Sequence, residues 1–176
     1  MTDIYIASNT LRFALGQSGD RPVLVLGLNP STATDVKSDL TLSKVRRISQ
    51  CKGFDGFIIA NLCPIRSTHI LALPIRVPDP VHVQNLAIIS QIVKAYSLAF
   101  VWAAWGAGII KRQYFVRALK EIVSCLDREG LNWLCYDYLT KEGHPRHPSR
   151  VGYGKSFYPF DVHEYTTRLE SIYKDQ

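Results

Sequence analysis

The chain has 176 residues, 47% of them apolar, which allows one domain with a sizeable core and excludes a disordered segment. The net charge of +6 and pI near 9.2 suit an anionic partner such as nucleic acid or a nucleotide, and a solvated basic surface accounts for them equally well. The four cysteines (Cys51, Cys63, Cys125, Cys135) have no metal-ligand spacing, no segment has the layout of a signal peptide, and no apolar run is long enough to cross a bilayer. The expectation is a cytoplasmic protein with mostly buried thiols, no membrane partner, no metal and no cofactor.

In chain order, Ile4 to Leu15 reads as an edge hairpin or short leading strand, and residues 16–20 as a turn. Pro22 to Leu28 is an apolar run rich in β-branched residues, a buried strand that ends abruptly in Asn29-Pro30-Ser31-Thr32. Ser38-Asp39 supplies an N-cap for a helix with Leu42, Val45 and Ile48 on one face and Lys44, Arg46 and Arg47 on another. Phe57 to Leu62 is a second apolar strand, and the proline-bearing stretch from Cys63 to Pro80 is a long loop of the kind that often carries function.

Val81 to Ser97 follows as a helix with Leu86, Ile89, Ile92, Val93 and Tyr96 inward. Leu98 to Gly106 is a third strand, on which Trp102 and Trp105 are expected to face the same helix layer. A helix over Gly108–Arg128, a fourth strand over Leu131–Tyr136, a loop over Thr140–Pro148 and a last helix over Asp161–Tyr173 complete the pattern. Apolar strands alternating with helices define an α/β fold: a single domain over residues 1–176, a three-layer α/β/α sandwich around a mostly parallel sheet of about four core strands.

Chemistry is expected at the carboxyl ends of those strands, where ligands bind in open α/β sheets. Asn29 is either a turn residue or an amide that orients a water or a ring atom, in a cleft floored by backbone N–H groups beside Gly27, Pro30 and Ser31. Asn61 ends an apolar strand with a carboxamide that both donates and accepts, which suits a nucleobase edge and equally a backbone partner. Asp39 is more often a cap than a catalyst, but it and Asp35 are the carboxylates close enough in sequence to act as a general base.

His144, Arg146, His147 and Arg150 form either a proline-stiffened surface loop or a cationic clamp on a phosphate or developing anion. Arg66, Ser67 and Thr68 are candidate phosphate contacts. His144 and His147 lack a third metal ligand. A Walker loop, a G-x-G-x-x-G turn and a G-x-S-x-G elbow are all absent.

Asn29-Pro30-Ser31-Thr32-Ala33, Ser38-Asp39-Leu40-Thr41, Asn61-Leu62 with Arg66, Ala104-Trp105-Gly106 and Pro145-Arg146-His147-Pro148 occur in the order seen in a bacterial family, which the chain resembles over most of its length. It is domain-of-unknown-function family 1643, and the name implies no activity. More distantly, Gly27-Leu28-Asn29-Pro30, Asn61 and His147-Pro148-Ser149 are similar to three motifs of the uracil-DNA glycosylase superfamily.

That second resemblance implies a uracil-DNA-glycosylase-like fold and hydrolysis of an N-glycosidic bond. Asn29 would hold the water, with Asp39 as base. Asn61 would read the base, and His147 and Arg146 would stabilise the departing anion, beside Ser149 of the same motif. Lys44, Arg46, Arg47, Arg146, Arg150 and Lys155 would meet phosphates, and a base in a duplex would be flipped out. Arg150-Val151-Gly152 replaces the proline and wedge residue that fill the vacated stack, and the cysteine spacing of iron–sulfur members is absent. Two other readings stay open: a non-catalytic nucleotide or nucleic-acid binding module, and a hydrolase acting on a small nucleoside-like metabolite.

Overall fold

The run Pro22–Gly27 is buried along its whole length because it has a strand on either side and helices above and below. The computed structural model describes residues 3–34, 36 and 38–174. Its strands are β1 (Ile4–Ala7), β2 (Arg12–Gln17), β3 (Pro22–Gly27), β4 (Gly56–Asn61), β5 (Phe100–Ala103), β6 (Asn132–Tyr136) and β7 (Phe157–Pro159). Its helices are α1 (Leu40–Cys51), α2 (Asp79–Ala95), α3 (Gln113–Leu126) and α4 (Val162–Lys174).

One seven-stranded sheet runs in the order β1-β2-β4-β3-β5-β6-β7. The four expected core strands, β4, β3, β5 and β6, are mutually parallel. The sheet is nevertheless larger and more mixed than four apolar runs suggest. The β1–β2 hairpin adds two antiparallel strands at one edge, and β7 adds one at the other. Strand β7 has three residues, too few for its alternation to register in the sequence.

Helices cover both faces. Leu42, Val45 and Ile48 of α1 pack with Val23, Val25, Phe57 and Ile59 on one face. Helices α2, α3 and α4 pack with Leu24, Leu26, Ile58 and Ala60 on the other. The alternation of strand side chains sorts the two sets. It also separates the tryptophans, which are three positions apart: Trp102 joins the α1 face and Trp105 the opposite one, correcting the expectation that they share a layer. Helix α2 begins at Asp79, earlier than expected, because Pro80 is tolerated in a first turn. Among the cysteines, Cys63 and Cys135 are buried and Cys51 and Cys125 exposed. Among the described residues no helix is long and apolar enough to cross a membrane.

The order around β3 positions the site. The connection from β3 through α1 runs over one face to β4, and those from β4 and β5 run over the other through α2 and α3. The carboxyl end of β3 is therefore the switch point at which a crevice opens in such sheets.

Candidate functional site

A cavity of about 230 Å³ occupies that crevice, on the α1 face. Val25, Ile59, Leu42 and Val45 give it apolar walls. Asn29, Ser31, Asp39, Asn61, Ser67 and His147 supply polar groups. The volume falls below the ~300–1,000 Å³ of drug-sized ligand sites, so a single ring or small acid fits better than a whole nucleotide. A second cavity of about 320 Å³ lies beside Tyr138, Tyr158 and Arg168. It gathers none of the expected catalytic or binding residues, and Arg168 there donates to the Gly143 carbonyl at 2.6 Å.

Asn61 is 3% exposed, and its Nδ2 has no hydrogen-bond partner among the described residues. A buried amide N–H without a partner is costly, and this one borders the cavity, where a water or a ligand can reach it. Gly27 faces it across the β3–β4 ladder. A Cβ on Gly27 would lie 2.7 Å from the Asn61 Oδ1, so only glycine leaves the carboxamide its place.

Asn29 is half-buried, and its Nδ2 donates to the Ser67 carbonyl at 2.8 Å and the Pro30 carbonyl at 3.1 Å. Those bonds fix the side chain and leave Oδ1 as an acceptor. Ser67 N–H returns a bond to the Pro30 carbonyl at 2.9 Å, so the loops after β3 and β4 are zipped together.

His147 reaches the cavity from the loop after β6, backed by Gly106, whose φ of +71° is a left-handed conformation. A Cβ there would stand 3.2 Å from the His147 Cβ. Ser149 N–H donates to His147 Nδ1 at 3.3 Å, and the Ser149 hydroxyl lies 2.8 Å from the same atom. Nδ1 is therefore an acceptor, and the neutral ring carries its proton on Nε2. Burial pushes the imidazole below its ordinary value, with Asp39 opposing and Arg150 adding to the shift. Lys44 of α1 donates to the Ser149 carbonyl at 3.3 Å and the Val151 carbonyl at 2.6 Å, which clamps this loop to α1.

Asp39 also lines the cavity. Its Oδ1 accepts from Leu42 N–H at 2.8 Å and caps α1, which leaves Oδ2 as an acceptor. Asp35, the other candidate base, lies outside the described residues.

The structure thus brings Gly27, Asn29, Ser31, Asp39, Asn61 and His147 together, and leaves four expected contacts outside. Pro30 accepts bonds behind Asn29. Ser149 orients His147 from behind. Arg66 binds the Ser31 and Ala33 carbonyls and the Tyr5 hydroxyl. Arg146 donates to the Tyr138 carbonyl at 2.8 Å and lies 3.9 Å from Asp137, which turns it away from the cavity. His144 is not part of a clamp either. It is buried, with Nδ1 2.8 Å from the Tyr165 hydroxyl, which also accepts from Trp105 Nε1. Among the described residues no three His, Cys, Asp or Glu side chains are grouped to hold a metal.

Sequence reasoning missed one charged residue of the cavity and two buried polar residues outside it. Arg12, 4% exposed, lines the cavity, and its signal was a lone charge inside the run Leu11–Leu15. Asn85 donates to the Asn61 carbonyl at 2.9 Å from within α2. His82 lies 3.3 Å from the Tyr114 hydroxyl, which donates to the Leu62 carbonyl at 3.1 Å. His82, Asn85, Ile89 and Ile92 follow core spacing along one helix face, and two polar residues there were the signal.

These features define an α/β protein with a small polar-floored cavity at the switch point of its sheet. The profile of the DUF1643 family, described as a protein of unknown function, matches residues 12–149, and the chain belongs to that family. No curated protein and no solved structure matches it. These comparisons give no support to the likeness to uracil-DNA glycosylases.

Proposed function

We propose that the protein is a nucleobase-directed enzyme of uracil-DNA-glycosylase-like type, on a three-layer α/β/α fold of that kind, hydrolysing an N-glycosidic bond in the cavity after β3. The observation that carries this reading is that Asn29, Asn61 and His147, from three separate loops and strand ends, line one cavity sized for a single ring. The ring lies against Leu42 and Val45, and the Asn61 carboxamide meets its edge.

As the glycosidic bond breaks, its electron pair leaves on the base and the sugar becomes oxocarbenium-like. The neutral His147 donates its Nε2–H toward the anionic base oxygen. A water bonds to the anomeric carbon while Asn29 Oδ1 accepts one of its protons in a hydrogen bond, which orients it. Asp39 Oδ2 takes the proton that the water releases.

A small nucleoside-like substrate has a specific observation in its favour over DNA. Most of the cations expected to meet phosphates have partners within the chain. Lys44 binds two carbonyls, Arg46 and Arg47 lie over the Phe57 and Tyr153 rings, and Arg146 and Lys155 flank Asp137. The test is chromatographic detection of free base after incubation with nucleosides and with base-modified oligonucleotides. The expected result is release by the wild type and none by folded Asn29→Ala, whose melting temperature falls with the loss of the two bonds from Nδ2. Release that is equal in the variant overturns the role of Asn29, and ligand-dependent stabilisation without product marks a binding module instead.

A further inference from the structure

Arg12 enters the cavity from the first residue of β2, at the carboxyl end of β4. Its Nη1 donates to the Ala33 carbonyl at 3.0 Å, while its Nε is buried with no partner among the described residues. Arg66 Nη1 donates to the same carbonyl at 3.2 Å, so two guanidinium groups converge on one oxygen. Neither forms an ion pair among the described residues; the one described carboxylate lining the cavity, Asp39, caps α1 through Oδ1 and acts on Arg12 only from beyond ion-pair distance. Burial and Arg66 draw the Arg12 guanidinium down to about 10, against Asp39, which leaves it charged at neutral pH. A buried charge with no ion-pair partner among the described residues is expensive, and so is the Asn61 Nδ2, unpartnered among them, on the same cavity.

We propose that the Arg12 side of the cavity is an oxyanion subsite, and that the natural ligand carries a carboxylate or phosphate group that pairs with Arg12. A carboxylate presents two oxygens to the Arg12 fork, and a phosphate presents up to three. The inference rests on the base-site reading for the identity of the ring, and on Arg12 alone for the charge.

The test is equilibrium binding to the full chain, at constant ionic strength, of uracil, orotate (uracil bearing a ring carboxylate), uridine and uridine 5′-monophosphate. One anionic member should bind about ten- to hundredfold more tightly than its neutral counterpart, the range expected of a charged hydrogen-bonded pair. Tighter orotate identifies a ring carboxylate as the source, and tighter monophosphate identifies a sugar phosphate. The preference should vanish in Arg12→Gln and persist in part in Arg12→Lys. Inorganic phosphate should also raise the melting temperature of the wild type, which keeps the test decisive if Arg12→Gln fails to fold. Equal binding of anionic and neutral members by the wild type, or an undiminished preference in folded Arg12→Gln, overturns the proposal. Base release bears on catalysis only: it can fail while the anion preference stands, and an absent preference leaves base release untouched.

Discussion

Gly27 and Asn61 face each other in the β3–β4 ladder, and what a methyl group on Gly27 would meet is the far end of a side chain, not backbone. Gly27→Ala should therefore keep stability within about 1 kcal/mol while displacing the Asn61 carboxamide, so that ligand binding falls as far as in Asn61→Ala. Thermal melting and ligand titration of both variants check this. His147 gives a pH dependence of definite sign. Its native pKa is depressed, so the unfolded chain binds the proton more readily, and the contribution to stability is complete above the ordinary imidazole value of about 6.5. It is lost as pH falls below that value. His144, depressed chiefly by burial and then by Arg168, acts in the same direction. Melting temperature measured down from pH 7 should decline, and decline less in His147→Gln. At this scale Asn29 and Asn61 were legible because each is a polar residue where an apolar run ends, and His147 because it stands in the proline-flanked loop that follows the fourth run. Arg12 was not, because its role depends on a hairpin pairing with β4, which local pattern does not reveal.

Helix α1 holds one wall of the cavity, and Asp39 serves it in two ways that substitutions separate. Asp39→Ala removes the bond to Leu42 N–H and should cost about 0.5–2 kcal/mol. Asp39→Asn keeps an N-cap and should stay close to wild-type stability. If Asp39 is also the general base, Asp39→Asn should lose base release as fully as Asp39→Ala does, and denaturant unfolding beside an activity assay compares the two. Helix α2 buttresses the opposite side through Asn85, whose Nδ2 satisfies the buried Asn61 carbonyl. Asn85→Ala leaves that carbonyl unpaired and should cost about 1–3 kcal/mol in the same unfolding experiment. Helix positions and the four parallel strands were readable from periodicity, because each spans several turns or a continuous apolar run. Strand β7 and the pairing of β2 with β4 were not, because short antiparallel strands derive their stability from a neighbour distant in sequence.

For the whole molecule, the net charge of +6 fits a phosphate-contacting surface and a solvated basic one equally well. An interface using all six expected cations would give a slope of log K against log salt near about −5. Since most of those side chains are tied to carbonyls, rings or Asp137, oligonucleotide binding should show a slope no steeper than about −2, measured by fluorescence anisotropy. Charge counted along the chain cannot distinguish a solvated cation from one that staples a loop. The switch-point location of the site was legible, since it follows from apolar strands alternating with helices, whereas the closing of three loops into one cavity depends on the Asn29–Ser67 and Lys44–Val151 bonds between distant residues. The most direct test of a base-binding cavity is the side-chain amide resonance of Asn61 in the isotope-labelled protein, followed during titration with uracil and orotate. A saturable shift that is lost in Gly27→Ala is the predicted result, and an Asn61 resonance unmoved by either compound would contradict it.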